Sequence, residues 1–375
     1  MEKRKVLVLS LLSFFFCLCV SLPSFAADAT WVYKYSAPDN FVRFNDVISV
    51  SSGGYLGVGN VWDAETGDTN QNAIISRLDQ NGQTLWSKNF TFSGRWMDDL
   101  RSVVESSDGG FIATGVTLLE SPDGYGNTAV VNAVLILKVD ANGNLVWRKV
   151  IKNKANSAAS GNRIKATNDG NYVIVGLVMV YLLHDTGVYT SVTAAALIIK
   201  IDTNGVELFN RAYYGDWAHS YAWSFNDVVQ DSDGSYYATG FAGFEVYSEA
   251  VGWGGILLAK IGSDGELAWV TKLDSATDGV GNAINDYGSR ILLSGNSLYV
   301  TGITGVTFNL SSFSLSGTHS WTNQYSCVRD WDTNISATND FIHSGDGNFF
   351  ILTGGACTAI AKVDSLGNIL WGKTT

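Results

Sequence analysis

Three short segments place tryptophan beside carboxylate side chains, a combination suited to binding sugars. They contain Trp96, Asp98 and Asp99, then Asp216 and Trp217, then Asp330 and Trp331. An aromatic face stacks on a sugar ring, and carboxylate oxygens accept hydrogen bonds from hydroxyl groups. We therefore predict ligand-binding roles for all of these residues. The competing interpretation is structural, with each tryptophan packed between neighbouring elements and each aspartate capping a loop.

The same carboxylates are candidates for catalysis. Glycoside hydrolysis uses two carboxyl groups on opposite sides of the scissile bond, and the candidates are Asp98, Asp99, Asp216 and Asp330. No spacing rule selects a pair among them. We therefore predict no catalytic residue, and a carbohydrate-active enzyme, either a hydrolase or a lyase, is the alternative hypothesis.

The sequence indicates no cofactor. Its four histidines are far apart in the chain and lack the spacing of metal ligands. Two acidic segments, residues 63–68 and 231–234, carry oxygen ligands of the kind that calcium takes, but neither has the EF-hand pattern. No phosphate-binding loop, nucleophile elbow or dinucleotide-binding glycine pattern occurs in its required context.

A repeated phrase organises the whole chain. An apolar stretch leads into a turn built on Asp and Gly and then to an aromatic residue, as between Leu78 and Trp86. Six copies end, about 50–62 residues apart, at Trp86, Trp147, Phe209, Trp269, Trp321 and Trp371. A further copy at Trp31 keeps only its aromatic end.

Each interval between these aromatic residues holds four short strand patterns joined by glycine turns, and helical periodicity is absent. We therefore predict an all-β protein, a six-bladed β-propeller with four antiparallel strands in each blade. A seven-bladed ring is the alternative, and a pair of β-sandwich domains is less consistent with a chain that has no linker. The strand at Trp31 is expected beside the last blade, where it would close the ring.

The turn phrase resembles that of the quinoprotein (PQQ)-like repeat propellers of bacteria, roughly A-x-D-x-x-T-G-x-x-x-W. The stretch from Ala361 to Trp371 matches it with one residue fewer between Asp and Gly, and the resemblance spans nearly all of the mature chain. It implies a propeller whose tryptophans dock neighbouring blades, here Trp86, Trp147, Trp269, Trp321 and Trp371, with Phe209 in place of one. The related dehydrogenases use adjacent cysteines and a calcium-bound cofactor on eight blades. This chain has neither adjacent cysteines in its mature part nor enough repeats, so the non-catalytic scaffold propellers are the closer analogy.

The N-terminus predicts export. Three basic residues precede an apolar run at residues 6–22, and Ser24-Phe25-Ala26 is a small-x-small cleavage site. This is the pattern of a secretory signal peptide. We predict a signal peptide at residues 1–26 and a single propeller domain at residues 27–375, secreted to the periplasm or the extracellular space.

The charge balance excludes some partners. The formal net charge is −11, and the predicted leader removes mostly basic residues, so the mature chain is more acidic still. Such a surface repels nucleic acid and anionic lipid. No segment of the mature chain is long and apolar enough to predict a transmembrane span, and we expect a monomer.

Two cysteines, Cys327 and Cys357, belong to the mature chain. In a propeller, Cys327 follows the last strand of the fifth repeat and Cys357 opens the third strand of the sixth, at the same end of the blades. We predict that they form a disulfide that holds the last blade in place, and two separate buried thiols are the alternative.

The function that these observations favour is binding. Variable loops on a rigid scaffold are where ligand contacts concentrate. We expect a secreted binding or scaffold propeller that engages a protein or a glycan through its variable loop face. The alternatives are the carbohydrate-active enzyme and a purely structural surface protein.

Overall fold

The computed structural model describes twelve stretches of the chain, all of them strands and tight connections. They are residues 40–63, 71–92, 97–122, 128–152, 158–183, 189–215, 221–244, 254–274, 286–304, 307–325, 335–355 and 359–374. Within these ranges there is no helix, and hence none that could cross a bilayer.

Six sheets of four strands each make up the described chain. The first two are β1 (Asn40–Ser49), β2 (Tyr55–Asp63), β3 (Asn72–Leu78) and β4 (Thr84–Phe90), then β5 (Asp98–Glu105), β6 (Phe111–Pro122), β7 (Thr128–Val139) and β8 (Leu145–Ile151). The third and fourth are β9 (Ala159–Ala166), β10 (Tyr172–Leu183), β11 (Tyr189–Ile201) and β12 (Glu207–Tyr213), then β13 (Tyr221–Gln230), β14 (Tyr236–Phe244), β15 (Gly254–Ile261) and β16 (Leu267–Asp274). The last two are β17 (Asp286–Ser294), β18 (Ser297–Thr304), β19 (Thr307–Ser314) and β20 (His319–Tyr325), then β21 (Ile335–His343), β22 (Phe349–Gly355), β23 (Ala359–Val363) and β24 (Ile369–Thr374).

Consecutive strands in each sheet are antiparallel neighbours, which is the blade of a propeller. The prediction of an all-β, six-bladed propeller is confirmed, and the seven-bladed alternative is wrong. The closing strand predicted at Trp31 lies outside the described residues. So do Cys327 and Cys357, and their disulfide stays a prediction.

The chain divides into two compact units, Met1–Ile164 and Lys165–Thr375. In the first unit, apolar side chains of the first two blades form one core that includes Leu56, Leu100 and Leu135. The second unit has a series of such cores, one of them around Phe225 and Tyr236. Each core lies between the facing sides of consecutive blades because a single four-stranded blade cannot bury both of its faces.

Glycine in the second strand of a blade permits a bulge in the first strand. The register of β5 against β6 shifts between Leu100 and Ser102, opposite Gly115. A Cβ at Gly115 would lie only 1.9 Å from the carbonyl oxygen of Asp99. The same bulge and close approach recur at Gly59 and Gly240. The repeated glycine at this point is therefore required by the close approach of the backbone of the first strand.

The repeated aromatic residue docks one blade on the next. A Cβ at Gly143, in the turn between β7 and β8, would lie 2.7 Å from Cζ3 of Trp86, and Trp86 Nε1 donates to the carbonyl oxygen of Ala141 at 3.2 Å. Equivalent contacts join Phe209 to Gly265, Trp269 to Gly317 and Trp321 to Gly367. The inter-blade role predicted from the family resemblance is thus seen at these positions. Trp371 is 45% exposed and contacts Phe350 of its own blade.

A lysine at the end of the third strand ties together the two hairpins of a blade. In the second blade, Lys138 donates to Asp108 of the turn between β5 and β6. In the third blade, Lys200 Nζ lies 2.7 Å from Asp169 Oδ2 of the equivalent turn. In the first blade the turn lacks the aspartate, and Arg77 instead donates to backbone carbonyls, including that of Tyr55 at 3.1 Å. In the first blade, where the acid is absent, the base is therefore different as well.

This pair predicts a small acid-sensitive contribution to stability. The hydrogen bond from Lys138 lowers the pKa of Asp108 from 3.8 to about 2. A depressed carboxyl pKa stabilises the fold above the ordinary pKa, and that stabilisation is lost as the pH falls towards about 2. Because Asp108 is mostly exposed, we expect Asp108→Asn to cost less than about 1 kcal/mol at neutral pH. Urea unfolding at stepped pH should show the difference between wild type and variant disappearing between about pH 4 and about pH 2. A difference of constant size across that range would contradict this assignment.

Candidate ligand site on the first two blades

Most of the predicted ligand-binding residues lie outside the described part of the chain. These are Trp96, Asp216, Trp217, Asp330 and Trp331. Asp98 and Asp99 are described, and together they begin β5. The structure therefore gives the surroundings of these two carboxylates only.

Asp98 is fully buried and ties strands together. Its Oδ2 accepts from the backbone N–H of Phe92 at 2.6 Å, and its Oδ1 accepts from Thr117 Oγ1 at 2.5 Å. Its own N–H donates to the carbonyl oxygen of Gln71 at 2.8 Å. This environment is that of a structural carboxylate that holds the start of β5 against β6, and it positions the neighbouring Asp99.

Asp99 has a different environment, at the bulge and next to basic groups. Its side chain is 16% exposed, Asn45 Nδ2 donates to its Oδ1 at 2.6 Å, and Arg101 Nε lies 3.6 Å from its Oδ2. Burial raises the pKa of Asp99, and the positive charges of Arg101 and Arg43 offset part of that rise. Asp99 is therefore a partly accessible carboxylate whose ionised form is less favoured than usual.

A stacked aromatic pair, with one exposed and one half-buried member, lies on the first blade. Phe41 and Trp62 are register partners across β1 and β2, and their stacked rings have centroids 5.5 Å apart. Phe41 is 57% exposed, although aromatic side chains are usually well buried. The pair lies at the end of β1 and β2 remote from their hairpin turn, where β2 leads into the connection to β3.

Polar groups continue the same side of the hairpin. Because side chains alternate along a strand, Phe41 and Arg43 point to one side of β1, and the register places Asn60 opposite Arg43. Arg43 is exposed, whereas Asn60 is buried. Asn60 Nδ2 donates to Gln71 Oε1 at 2.7 Å, and its Oδ1 has no hydrogen-bond partner in the described part of the chain.

We call Phe41, Arg43, Asn60, Trp62, Asp99 and Arg101 the aromatic–arginine site. It combines an exposed ring face, two guanidinium groups, an amide and one carboxylate. Groups of these types suit a ring-shaped polar ligand, by stacking and by hydrogen bonding. Only Asp99 was predicted from the sequence. The other members depend on the register of β1 against β2 and on the contact between β1 and β5, and alternation of Phe41 with Arg43 was the only local signal.

Acidic residues in the described stretches do not form a metal-binding group. The segment at residues 231–234 is a hairpin turn, in which Asp231 Oδ1 accepts from the N–H of Ser232 at 2.6 Å and Asp233 Oδ1 from the N–H of Ser235 at 2.8 Å. Most of the segment at residues 63–68 lies outside the described residues. The aspartates of residues 231–234 therefore stabilise their own turn.

Comparison with known proteins assigns this chain to no family. No family model matches it, and no curated protein matches it in sequence. Among solved structures, it is similar to a protein of unknown function from Bacteroides caccae, with 12% identity, 76% of this chain and 82% of that chain covered, and a TM-score of 0.39. A protein from Lactobacillus plantarum has 15% identity, 83% and 94% coverage and a TM-score of 0.40. A putative 6-phosphogluconolactonase from Bacteroides fragilis has 11% identity, 88% and 96% coverage and a TM-score of 0.37. At these values the matches assign no function to this chain.

Proposed function

We propose that this protein is a binding propeller of the non-catalytic quinoprotein-like type and that its ligand is a glycan held at the aromatic–arginine site. The observation that carries this proposal is the exposed Phe41 ring stacked on Trp62 beside Arg43. An isolated exposed aromatic is ordinary, but a stacked pair flanked by hydrogen-bonding groups has the composition of a sugar-binding surface.

The two ends of each blade support this location. The hairpin turns are closed by their own hydrogen bonds, as where Asp79 Oδ1 accepts from the N–H groups of Asn81 and Gln83, both at 2.8 Å. Such turns repeat from blade to blade and leave few polar groups for a ligand. The aromatic–arginine site lies at the opposite end of its strands, where the connections differ in length.

The test is binding by Phe41→Ala and Trp62→Ala variants on a glycan array, followed by titration calorimetry with the strongest binder. We expect each variant to bind about tenfold more weakly, since an aromatic contact contributes about 1 kcal/mol beyond the area that it buries. Leu85→Ala is the matched control, because Leu85 is 60% exposed on β4 and belongs to no candidate site. Binding that is unchanged in both aromatic variants, or a wild type that captures a protein and no glycan, would overturn the proposal.

Export and the remaining candidate residues belong to the same proposal. We infer a secreted, monomeric protein that is cleaved after residue 26, and N-terminal sequencing of the exported chain should begin near Ala27. Trp96, Trp217 and Trp331 are proposed as further ligand contacts, and their alanine variants join the same array. A protein that keeps residues 1–26 after export would contradict the cleavage.

One observation favours the enzyme as a second candidate. The raised pKa of Asp99 increases its protonated fraction, which is the property that a general acid in glycoside cleavage needs. A hydrolase or lyase would then be expected to act on a polysaccharide panel and to lose turnover in Asp99→Asn. Glycan binding without turnover in the wild type would reject the enzyme and leave the binding protein.

A further inference from the structure

We propose that the glycan bound at the aromatic–arginine site is acidic, and that Arg43 pairs with the carboxylate of a uronic acid residue stacked on Phe41. This inference rests on the proposed function and adds the chemical class of the ligand. It follows from the charge balance of the site, the hydrogen bonds already made by its basic groups, and the spacing along β1.

The six residues of the site carry more positive than negative charge, on a protein that is acidic as a whole. The chain has a formal net charge of −11, whereas the aromatic–arginine site holds the two guanidinium groups of Arg43 and Arg101 against the single carboxylate of Asp99. The neighbouring ion pair of Arg163 and Asp46, with Nη1 and Oδ1 at 3.2 Å, is balanced in itself. Among the six residues of the site, one positive charge has no carboxylate to balance it, and the nearby carboxylate of Asp98 is buried and held by its own hydrogen bonds.

The two arginines differ in what they already bind. Arg101 donates from Nη1 to Asn162 Oδ1 at 2.8 Å and approaches Asp99 through Nε, so protein groups hold its orientation. Arg43 is exposed and, in the described part of the chain, lies near Asp99 without forming an ion pair or a hydrogen bond. No described residue binds its planar fork of donors, and such a fork fits a carboxylate in a bidentate way.

The spacing matches a sugar acid. Phe41 and Arg43 are two positions apart on β1, so their Cα atoms are about 6.6 Å apart and their side chains leave the same side of the strand. A sugar ring stacked on Phe41 then has its ring substituents within reach of the Arg43 guanidinium. The carboxyl group of a uronic acid is such a substituent, whereas a neutral hexose offers only hydroxyl groups there.

The experiment compares matched ligands. Calorimetric titration of the mature protein would use oligosaccharides of galacturonate, mannuronate and glucuronate, their methyl esters, and sulfated neutral oligosaccharides. We expect at least one uronate to bind, and its methyl ester, which keeps the ring and removes the charge, to bind at least tenfold more weakly. Arg43→Gln should cause a similar loss, Arg43→Lys a smaller one, and Arg211→Gln, an exposed arginine of the third blade, none.

The outcomes separate this inference from the proposed function. Three results would overturn the assignment of a uronate and leave a glycan-binding protein. They are equal binding of acid and ester, unchanged binding by an Arg43→Gln variant with a wild-type unfolding midpoint, and a preference for neutral or sulfated glycans. Absence of binding to these ligands and to every glycan on the array would overturn both. Uronate binding that is abolished by the ester and by Arg43→Gln supports both.

Discussion

Gly240→Ala is expected to destabilise the protein by about 3 kcal/mol, the upper end of what overpacking costs. A Cβ at Gly240 would lie 1.9 Å from the carbonyl oxygen of Ser224 and 2.8 Å from its carbon. Both atoms belong to the backbone, so no side chain can rotate away. The bulge between Phe225 and Asp227 would have to open, and Phe225 is fully buried in the core between its own blade and the preceding one.

The matched control is Gly170→Ala, in a hairpin turn of the same unit. Gly170 has φ +77°, and a Cβ added there would have no atom within 4 Å, so its replacement tests the backbone conformation without any clash. That variant should lose only about 1 kcal/mol. Urea unfolding followed by tryptophan fluorescence measures both losses. Equal losses in the two variants would show that close backbone approach is not what requires Gly240.

Asp46→Ala is expected to cost about 3–5 kcal/mol, because it removes one partner of a buried ion pair. The side chain of Asp46 is 13% exposed, and that of its partner Arg163 is 9% exposed. Asp46 Oδ2 also accepts from Ser102 Oγ at 2.9 Å and from the N–H of Val103 at 3.1 Å. One carboxylate therefore joins β1 to β5 and to Arg163 of β9 within the first unit.

Two companion variants distinguish the charge from the hydrogen bonds. Asp46→Asn keeps an acceptor of the same size and should lose less than Asp46→Ala. Asp46→Ala combined with Arg163→Met should be more stable than the sum of the two single losses predicts. The double variant removes both charges, so no buried guanidinium is left without its carboxylate. Denaturant midpoints measure all of these variants beside the wild type. A loss below about 1 kcal/mol in Asp46→Ala would reject this role.

The aspartates of this chain show how far residue type alone could predict a site. Asp98 and Asp99 are adjacent and look equivalent in sequence, yet one is fully buried and held by two hydrogen-bond donors, and the other lies at the bulge beside Arg101. Both residues precede the bulge, and the alternation of side chains along β5 directs them to opposite faces of the sheet. Sequence reasoning could name both as candidates, but the choice between them depends on contacts with residues far away in the chain.

The order of residues was enough to predict the repeat, the four-strand blade and the number of blades. These follow from local physics, because turn residues, alternation and the docking aromatic recur at similar spacing and each is visible within one copy. The membership of the aromatic–arginine site, in contrast, came from long-range packing. Phe41 meets Trp62 through the register of β1 and β2, and Asp99 meets Asn45 because two blades pack together. Such contacts join residues distant in sequence, and no local pattern encodes them.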